Sequence, residues 1–564
     1  MMDYKLEISN LLGGLDIGLS QDEILNLIEV PKNKELGDFS FPTFRLAKTM
    51  RKAPNIIAED LVSKIQSELF SEVKTAGPYI NFYLDQTKFN QIVLEKVFEE
   101  KYKYGSSKMG EGKLVTIDYS SPNIAKPFHI GHIRSTVIGD SLKRIFRFLG
   151  FTVESINYLG DYGTQFGVLI SAYLKWGDKE VIDKDPIREL LKLYVRYTKE
   201  SESDPALKDE ARAWFKKLEE KDEFALETWR WFKEISLKEF NRVYDMLGIE
   251  FESYNGEYFH AQFIPEIREE IEKSGLLYES EGAQVIDMGE ENPPAMIFKS
   301  DGSSSYITRD MATARYRKQH YDFYKNIYVV ATQQNLHFIS LFKILDKMGY
   351  DWAKDCVHVS FGMVSVKEGT LSTRRGNVIF LEDVLNKAIE KTEEIIAARN
   401  PNLENKDEIA KDVGIGAVKF QELFNQRVKD YVFDWDQLLN FEGETGPYVQ
   451  YAHARANQIL EKIDIEITDD VDFSLLKEPQ EIELIKSIYN APEAIIQAME
   501  KYEPFIITRH VTEIAQKFNS FYNSIHILNS EEEEKKARAL LVYATKVTIH
   551  NLLDLLGIKS PNKM

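Results

Sequence analysis

The stretch Asp118-Tyr-Ser-Ser-Pro-Asn-Ile-Ala-Lys-Pro-Phe-His-Ile-Gly-His132 decides the fold, because a strand pattern changes into a helix pattern within it. Residues 114–119, which lead into it, are apolar and β-branched, and this composition predicts a buried strand. Residues 133–149, which follow it, place apolar side chains at helical spacing. His129 and His132 are therefore expected at the N-terminus of a helix, directly after a strand.

This strand-to-helix turn suits a bound phosphate. Free backbone N–H groups and the positive end of the helix dipole attract anions there, Gly131 lets a nucleotide approach the backbone, and each imidazole can donate to a phosphoryl oxygen. Two other interpretations are a zinc site and a pair of structural histidines at a helix cap. Zinc is disfavoured because Cys356 is the single cysteine and no third ligand of the usual type lies nearby in the sequence. The strand, the glycine and the helix together favour phosphate.

Composition narrows the remaining possibilities. The chain has 564 residues, of which 43% are hydrophobic, and this fits a globular protein of three or four domains. No apolar run reaches membrane-spanning length and no signal pattern opens the sequence, so we expect a cytoplasmic protein. A single cysteine excludes an intramolecular disulfide and fits a reducing compartment. The net charge of −20 argues against indiscriminate nucleic-acid binding but leaves room for a specific RNA partner.

The order of predicted elements divides the chain into three domains. Residues 1–105 predict a small α/β domain, and a segment with several glycines and serines, 102–112, predicts a linker. Residues 106–395 predict an α/β domain with a Rossmann-like parallel sheet, which a charge-rich, mostly helical insertion at about residues 173–299 splits. Residues 396–564 predict an all-helical domain. Further buried strands of the parallel sheet are expected at 152–158, 327–331 and 357–361.

Four local patterns add detail to this division. Residues 37–50 predict a turn and then a helical stretch, whereas residues 76–84 predict a turn and then a strand. The acidic run at 531–534 predicts the solvated start of a helix. A helix pattern also starts at Met311, which makes an N-cap one interpretation of Asp310.

The residues Ser121-Pro-Asn-Ile-Ala-Lys-Pro-Phe-His-Ile-Gly-His132, continuing to Asp140, resemble the HIGH signature of class I aminoacyl-tRNA synthetases in its arginyl-tRNA synthetase form. The resemblance implies an arginine–tRNA ligase that uses ATP with Mg²⁺, binds L-arginine and tRNA, and is a monomer. No protein-held metal site is expected. Other segments similar to the same family are Gly37–Pro42 and Ala76–Phe82 of its N-terminal domain, Leu159–Gly167, and residues 440–455 and 556–564 of its C-terminal region.

The resemblance also implies a pocket for arginine. Tyr306 and Asp310 match the family's Tyr-x-Thr-Arg-Asp segment, and Gln334 matches a glutamine in its Gln-Gln-x-x-His segment. Together with Asp118 they would surround the guanidinium, which is planar, permanently charged and rich in donors. Asn123 and the nearby Ser120 or Ser121 would hold the α-amino and α-carboxylate groups of the substrate. His337 is either a further site residue or a packed one.

The segment Lys367–Asn377 occupies the place of the mobile KMSKS loop of the class. It departs from the full motif because Thr373 replaces the second lysine. The resemblance implies that the lysine before the HIGH signature takes over this role, and Lys126 has that position. The implied catalytic residues are Lys126, His129 and His132, and the implied ATP-binding residues are His129, Gly131, His132, Val364, Arg374 and Arg375.

Tyr448, Tyr451 and Arg455 follow the spacing i, i+3 and i+7, so they are expected on one helix face. Aromatic rings beside a cation suit stacking on RNA bases, although the tyrosines could equally belong to a core. Three other functional classes stay open at this point. They are another class I synthetase, for lysine or glutamate, a small-molecule nucleotidyltransferase, and a non-catalytic RNA-binding protein derived from a synthetase.

Overall fold

A computed structural model describes residues 3–366, 379–433, 438–440, 443–463 and 465–564. The contacts between its residues define two units. One unit, here called the N-terminal unit, comprises Met1–Gly105, Ala452–Glu493 and Glu513–Asn551. The other, here called the catalytic unit, comprises Ser106–Tyr451, Ala494–Thr512 and Leu552–Met564. Each unit is described by itself below.

The N-terminal unit contains an antiparallel sheet in which Tyr79–Leu84 is the middle strand, between Phe39–Pro42 and Phe70–Ala76. The turn and strand predicted at residues 76–84 are confirmed. The strand Phe39–Pro42 was missed, because Gly37 before it and Pro42 at its end favoured a turn, but the helix predicted after it is present. The helices of this part are Tyr4–Gly13, Gln21–Leu27, Leu46–Met50, Pro54–Val62 and Gln86–Glu100.

Segments distant in sequence complete the core of the N-terminal unit. The Nδ2 atom of Asn90 donates to the carbonyl of Leu476 at 2.9 Å. The phenol of Tyr104 is buried and donates to the carbonyl of Ile488, also at 2.9 Å. Residues around 470–490 therefore belong to the same packed unit as the N-terminal sheet.

The catalytic unit is built around a four-stranded parallel sheet. Its strand order is Cys356–His358, Lys325–Tyr328, Leu114–Asp118, Thr152–Ile156. All four predicted strands are confirmed. The first two along the chain lie within their expected ranges, and the last two begin one or two residues earlier and end three residues earlier than predicted. From the central pair the chain crosses to opposite edges, which creates a switch point between Asp118 and Tyr328.

The expected insertion follows the strand Thr152–Ile156 and is first helical and then a three-stranded antiparallel sheet. Its helices are Thr164–Trp176, Lys179–Lys184, Pro186–Ser203, Pro205–Glu219, Glu223–Leu247, Glu257–Ala261 and Ile264–Lys273, and its strands are Leu277–Ser280, Ala283–Ile286 and Ala295–Phe298. The helices that flank the parallel sheet are Ile133–Phe148, Tyr306–Tyr321 and Asn335–Lys347.

The described residues after 396 are predominantly helical, which confirms the helical character predicted for this region. The strand Tyr431–Phe433 departs from the all-helical prediction, because it pairs in parallel with Val364–Val366. The helices are Leu381–Arg399, Lys406–Phe424, Gly446–Lys462, Pro479–Tyr489, Ala491–Glu500, Phe505–Ser524 and Glu532–Leu555. The last of these begins within the acidic run, which confirms that run as a solvated helix start.

Residues 555–559 pack against the helix Ile133–Phe148 and its neighbours in the catalytic unit. The hydroxyl of Ser141 donates to the carbonyl of Leu555 at 2.9 Å. The buried ammonium of Lys419 donates to the carbonyl of Gly557 at 2.7 Å, and burial lowers the pKa of this lysine to about 8. A Cβ at Gly557 would lie 2.8 Å from Oδ2 of Asp140, so the segment approaches the helix closely.

Within the described part of the chain, no helix combines the length and the apolar character that crossing a membrane requires.

Candidate active site

Several of the predicted site residues lie on the loops and helices at the carboxyl ends of the two central strands. Asp118 ends one strand and lies beside Tyr328, which ends the other. A short 3₁₀ turn and then a helix follow the loop after each strand: Ile130–His132 with Ile133–Phe148, and Thr332–Gln334 with Asn335–Lys347. Ligands of open parallel sheets bind in the crevice at such a switch point.

Residues 129–132, here called the histidine turn, have a hydrogen-bond pattern that defines the tautomer of both imidazoles. The backbone N–H of Gly131 donates to Nδ1 of His129 at 3.0 Å. The backbone N–H of His129 donates in turn to Nδ1 of His132 at 3.2 Å. Because each Nδ1 atom accepts a hydrogen bond, each ring carries its proton on Nε2. Both histidines can therefore offer an Nε2–H donor to a ligand.

Burial keeps these two imidazoles neutral. It lowers the pKa of His129 to about 4. Burial and the neighbouring His129 lower the pKa of His132 to about 3. The ring centroids lie 4.0 Å apart, and a Cβ at residue 131 would lie 2.8 Å from Cε1 of His129. A side chain at residue 131 would collide with the imidazole of His129. Gly131 is therefore needed for packing as well as for the predicted approach of a nucleotide to the backbone.

The segment after Asp118 has a strained backbone. Ser120, Ser121 and Ala125 all have left-handed φ angles, of +71°, +46° and +59°, which non-glycine residues rarely adopt. The hydroxyl of Ser121 donates to Oδ1 of Asp118 at 2.9 Å. The hydroxyl of Ser120 is buried and lies 2.7 Å from the phenol oxygen of Tyr244, so this side chain stabilises the turn.

Asn123 is exposed and lies against the glycine-rich loop after residue 158. Its backbone forms a parallel bridge with Gly160, and a Cβ at that glycine would lie 2.3 Å from Oδ1 of Asn123. The acid of the same loop, Asp161, is fully buried, where it accepts from Nζ of Lys233 at 2.7 Å. The loop therefore supports Asn123 through its glycine, while its acid anchors the loop to the insertion.

The N-cap interpretation of Asp310 is wrong. The helix begins at Tyr306, with Ser305 as its N-cap residue, so Asp310 lies in the second turn. Three consecutive serines precede Tyr306, and they allow an earlier start than the pattern from Met311 suggested. The carboxylate of Asp310 instead accepts from Nε2 of His337 at 2.6 Å, and Tyr306 is 70% exposed at the helix start.

Two residues near this pocket were missed at the level of sequence. Arg317 is buried and donates from Nη2 to Oδ2 of Asp118 at 2.6 Å. Arg317 follows Asp310 by seven residues, so the two lie on one helix face, and this spacing could have indicated Arg317 from the sequence. The other is Glu257, in the insertion. Burial raises its pKa to about 7, with Asp310 adding to the rise and Arg309 opposing it.

Lys126 and Gln334 lie at the edges of the site. The ammonium of Lys126 is 5.8 Å from the ring centroid of Tyr194, which belongs to the insertion helix Pro186–Ser203. Gln334 ends its 3₁₀ turn and is exposed. Val364 is buried and pairs with Tyr431 in the short parallel ladder. Arg374 and Arg375 lie outside the described residues.

Residues 379–381 are hydrogen-bonded to the segment that contains the two histidines. The backbone N–H of Ile130 donates to the carbonyl of Ile379 at 3.1 Å, and that of Leu381 donates to Phe128 at 2.9 Å. The guanidinium of Arg188 lies 4.3 Å from the ring centroid of Phe380. Nη2 of Arg242 also donates to Oε2 of Glu382 at 2.6 Å, so two arginines of the insertion contact residues 380–382.

The three residues expected to contact RNA lie on the helix Gly446–Lys462. Tyr451 is 39% exposed, which argues against a core role for it, whereas Tyr448 is half-buried. Nη1 of Arg455 donates to Oδ1 of Asn519 at 2.5 Å. Over the described ranges, no group of three or more histidines, cysteines and acids has the arrangement of a metal site.

Comparisons with known proteins agree with this geometry. The family model "tRNA synthetases class I (R), catalytic domain" matches residues 93–435. Models of the "Arginyl tRNA synthetase N terminal domain" and the "DALR anticodon binding domain" match residues 3–84 and 449–564. Curated arginine–tRNA ligases of Halothermothrix orenii and Clostridioides difficile are each 54% identical to the chain, over all of it and all of their own length.

Solved structures show the same fold. The arginyl-tRNA synthetase of Thermus thermophilus matches with a TM-score of 0.82, 24% identity and full coverage of both chains. That of Plasmodium falciparum matches with a TM-score of 0.79 and 24% identity, over 100% of this chain and 98% of its own.

The fold and the histidine turn at its switch point are those of a class I aminoacyl-tRNA synthetase, a class that uses ATP. Within this class, the chain belongs to the arginyl-tRNA synthetase family, since the family model covers more than half of it and the curated relatives match throughout. Membership excludes the other three functional classes that the sequence had left open.

Proposed function

We propose that the chain is an arginine–tRNA ligase that joins L-arginine to its tRNA in two steps driven by ATP. The observation that carries this proposal is that two neutral histidine donors follow one central strand, while His337, which follows the other, is hydrogen-bonded to the carboxylate of Asp310. The first group suits the phosphates of ATP, and the second suits a guanidinium.

In the first step, a carboxylate oxygen of arginine attacks the α-phosphorus of ATP, and the bond to the β-phosphate oxygen breaks. Arginyl-adenylate and pyrophosphate form, and no enzyme nucleophile takes part. The Nε2–H groups of His129 and His132 stabilise the charge that grows on the phosphoryl oxygens, and Lys126 supplies a positive charge to the departing pyrophosphate. Mg²⁺ arrives with ATP rather than in a protein-held site.

In the second step, the 2′-hydroxyl of the terminal adenosine of tRNA attacks the activated carbonyl carbon, and AMP leaves. The hydroxyl proton is lost as the ester bond forms. Positioning of the two substrates provides most of the acceleration, because the mixed anhydride is already a reactive acyl donor.

For arginine itself, we propose that Asp310, with the help of Glu257, supplies the negative charge for the guanidinium, while Tyr306 and Gln334 border it. Asp118 forms the wall of the pocket behind the strained serine turn. Asn123 holds the α-amino group, and the turn at Ser120 and Ser121 holds the α-carboxylate.

For tRNA, we propose that Tyr448, Tyr451 and Arg455 contact bases, that residues 1–105 form a further RNA-contacting domain, and that residues 396–564 form the anticodon-binding domain. The catalytic domain then spans residues 106–395, with its insertion at about residues 173–299. We also propose that the protein is a monomer, which light scattering on the purified protein would check.

A charging assay with total tRNA and each amino acid tests the proposal. We expect arginine alone to be esterified to tRNA, with release of AMP and pyrophosphate. Charging with lysine or glutamate, or no charging with arginine, would overturn it. We also expect ATP–pyrophosphate exchange with arginine to require tRNA, and robust exchange without tRNA would remove that part of the proposal.

A further inference from the structure

Arg317 is a buried cation within the catalytic unit that the proposed reaction does not use directly. It lies on the helix Tyr306–Tyr321, and its side chain is 1% exposed. The centre of its guanidinium lies 5.6 Å from the ring centroid of Tyr158 and 5.2 Å from that of Tyr328. Its single ion pair within the described structure is the 2.6 Å contact between Nη2 and Oδ2 of Asp118.

The hydrogen bonds of this guanidinium are incomplete. Its Nε and Nη1 atoms are buried, and neither has a hydrogen-bond partner among the residues that the structure describes. An arginine retained only for stability is expected to have its donors satisfied, because unpaired buried donors are costly. A well-packed apolar side chain can often replace a buried ion pair without loss of stability. Some requirement other than stability therefore explains why this cation is present.

The ion pair continues into the strained turn of the arginine pocket. Asp118 accepts from Arg317 with one oxygen and from the hydroxyl of Ser121 with the other, at 2.9 Å. Ser121 has a left-handed backbone, with a φ of +46°, and the exposed Asn123 follows two residues later. Asp118 thus connects the helix that carries Asp310 with the turn that presents Asn123.

The charged groups near Arg317 can be assigned to ion pairs. Because Arg317 compensates Asp118, the negative charge beside it comes from Asp310, whose ion-pair partner in the described structure is His337 rather than a lysine or arginine. Arg309 lies 3.7 Å from Glu257, measured from Nη1 to Oε2. A pocket with this charge suits one guanidinium ligand, whereas an unpaired Asp118 would add a second negative charge.

We propose that Arg317 is a positioning residue for substrate arginine, which holds the carboxylate of Asp118 so that the Ser120–Ser121 turn keeps the geometry that arginine binding needs. This inference rests on the proposed function, since it concerns the same pocket. Arg317 does not touch the substrate in this proposal; its effect passes through Asp118.

The test compares R317M and R317K with R315M. Arg315 lies on the same helix but pairs with Glu266 and Glu270, at 2.8 and 2.7 Å. We expect R317M to raise the KM for arginine at least tenfold, about the effect of losing one charged hydrogen bond, and to leave the KM for ATP within about twofold. R317K should rescue part of the loss, and R315M should behave like the wild type.

A double-mutant cycle with D118N provides the second readout. If Arg317 acts through Asp118, the double variant D118N/R317M should have an arginine KM no higher than the larger single effect. Fully additive effects would overturn the proposal, as would an unchanged arginine KM or an equal rise in the KM for ATP. Should R317M fail to fold, R317K alone decides, because its arginine KM must still rise.

The wild-type protein separates this proposal from the proposed function. If the wild type does not charge tRNA with arginine, the proposed function fails. If it does, and the Arg317 variants keep a normal arginine KM, the positioning role alone fails.

Discussion

Oδ2 of Asp310 accepts a hydrogen bond from Nε2 of His337 over 2.6 Å, and the two residues belong to the helices that precede and follow the strand Lys325–Tyr328 in the sequence. The sequence had left His337 undecided between a site residue and a packed one. The contact fixes the orientation of the Asp310 carboxylate. Its Oδ1 atom accepts no hydrogen bond from the described residues, so it can accept one from a ligand.

The substitution D310N should weaken the binding of substrate arginine. D310N removes the negative charge that faces the guanidinium, so we expect the KM for arginine in aminoacylation to rise about 10²-fold, with a nearly constant KM for ATP. H337A should raise it less, by about fivefold, because the carboxylate remains but loses its orientation. The matched control is D301N, in the exposed loop of the same segment. Unchanged arginine kinetics in D310N would return Asp310 to a structural role.

The tautomer of the histidine turn is directly measurable. With selective ¹⁵N labelling of histidine, we expect Nδ1 of His129 and His132 to have the chemical shift of an unprotonated acceptor and Nε2 that of a protonated nitrogen, from pH 8 down to about pH 5. H132A should slow adenylate formation about 10²–10³-fold, as expected for one lost donor at a developing charge, with little change in tRNA affinity. A protonated Nδ1 at pH 7 would contradict the assigned hydrogen bonds.

The same histidines predict how stability depends on pH. Their pKa values in the folded protein, about 4 and about 3, lie below the ordinary 6.5. The unfolded chain therefore binds more protons between these values, and stability falls as the pH decreases from 6.5 towards 4. We expect urea unfolding midpoints to be lower at pH 5 than at pH 7.5, and H132N to have a smaller difference. An identical difference in H132N would show that other groups cause it.

Gly160 offers a way to displace Asn123 without touching it. Because a Cβ at residue 160 would lie 2.3 Å from Oδ1 of Asn123, G160A should push that side chain away and raise the KM for arginine about tenfold. In an N123A background the clash with the side chain is gone, so G160A should add little. If G160A has the same effect in both backgrounds, it acts through the loop itself.

The contact between Arg188 of the insertion and Phe380 predicts an effect on adenylate formation. R188A removes the guanidinium from the ring of Phe380, next to the histidine turn, and we expect adenylate formation to slow about five- to tenfold with an unchanged KM for arginine. The control is R196A on the same helix, where Arg196 lies 4.0 Å from the ring centroid of Trp176 and pairs with Glu200. Equal losses in the two variants would point to general weakening of the helix.

Local patterns were sufficient for much of the fold. The parallel strands and the helix after the histidine turn could be predicted from their apolar residues. A strand that is buried on both faces is a continuous apolar run, and a helix that is buried on one face has apolar residues at helical spacing. The helix start at Tyr306 was misjudged, since several serines offer equivalent caps and local rules cannot choose between them.

The pairing of Arg317 with Asp118 could not be read from the sequence, because 199 positions separate the two residues and neither periodicity nor spacing records such a contact. Glu257 was missed for a similar reason: it arrives from the insertion, where no motif surrounded it. The resemblance named Asp118 and Asp310, but it did not say which residues hold their carboxylates. Those partners depend on how the helices pack against the sheet.

The hydrogen bond between Ser141 and Leu555 spans 414 positions of the chain. At a ribosomal rate of roughly 5–20 residues per second, roughly 20–80 s separate the synthesis of its two ends. For that time, the nascent helix that carries the histidine turn lacks one of its packing partners. Arginine activation should therefore begin only after residue 555 has left the ribosome, so prematurely terminated chains would not compete for tRNA as partly active enzymes.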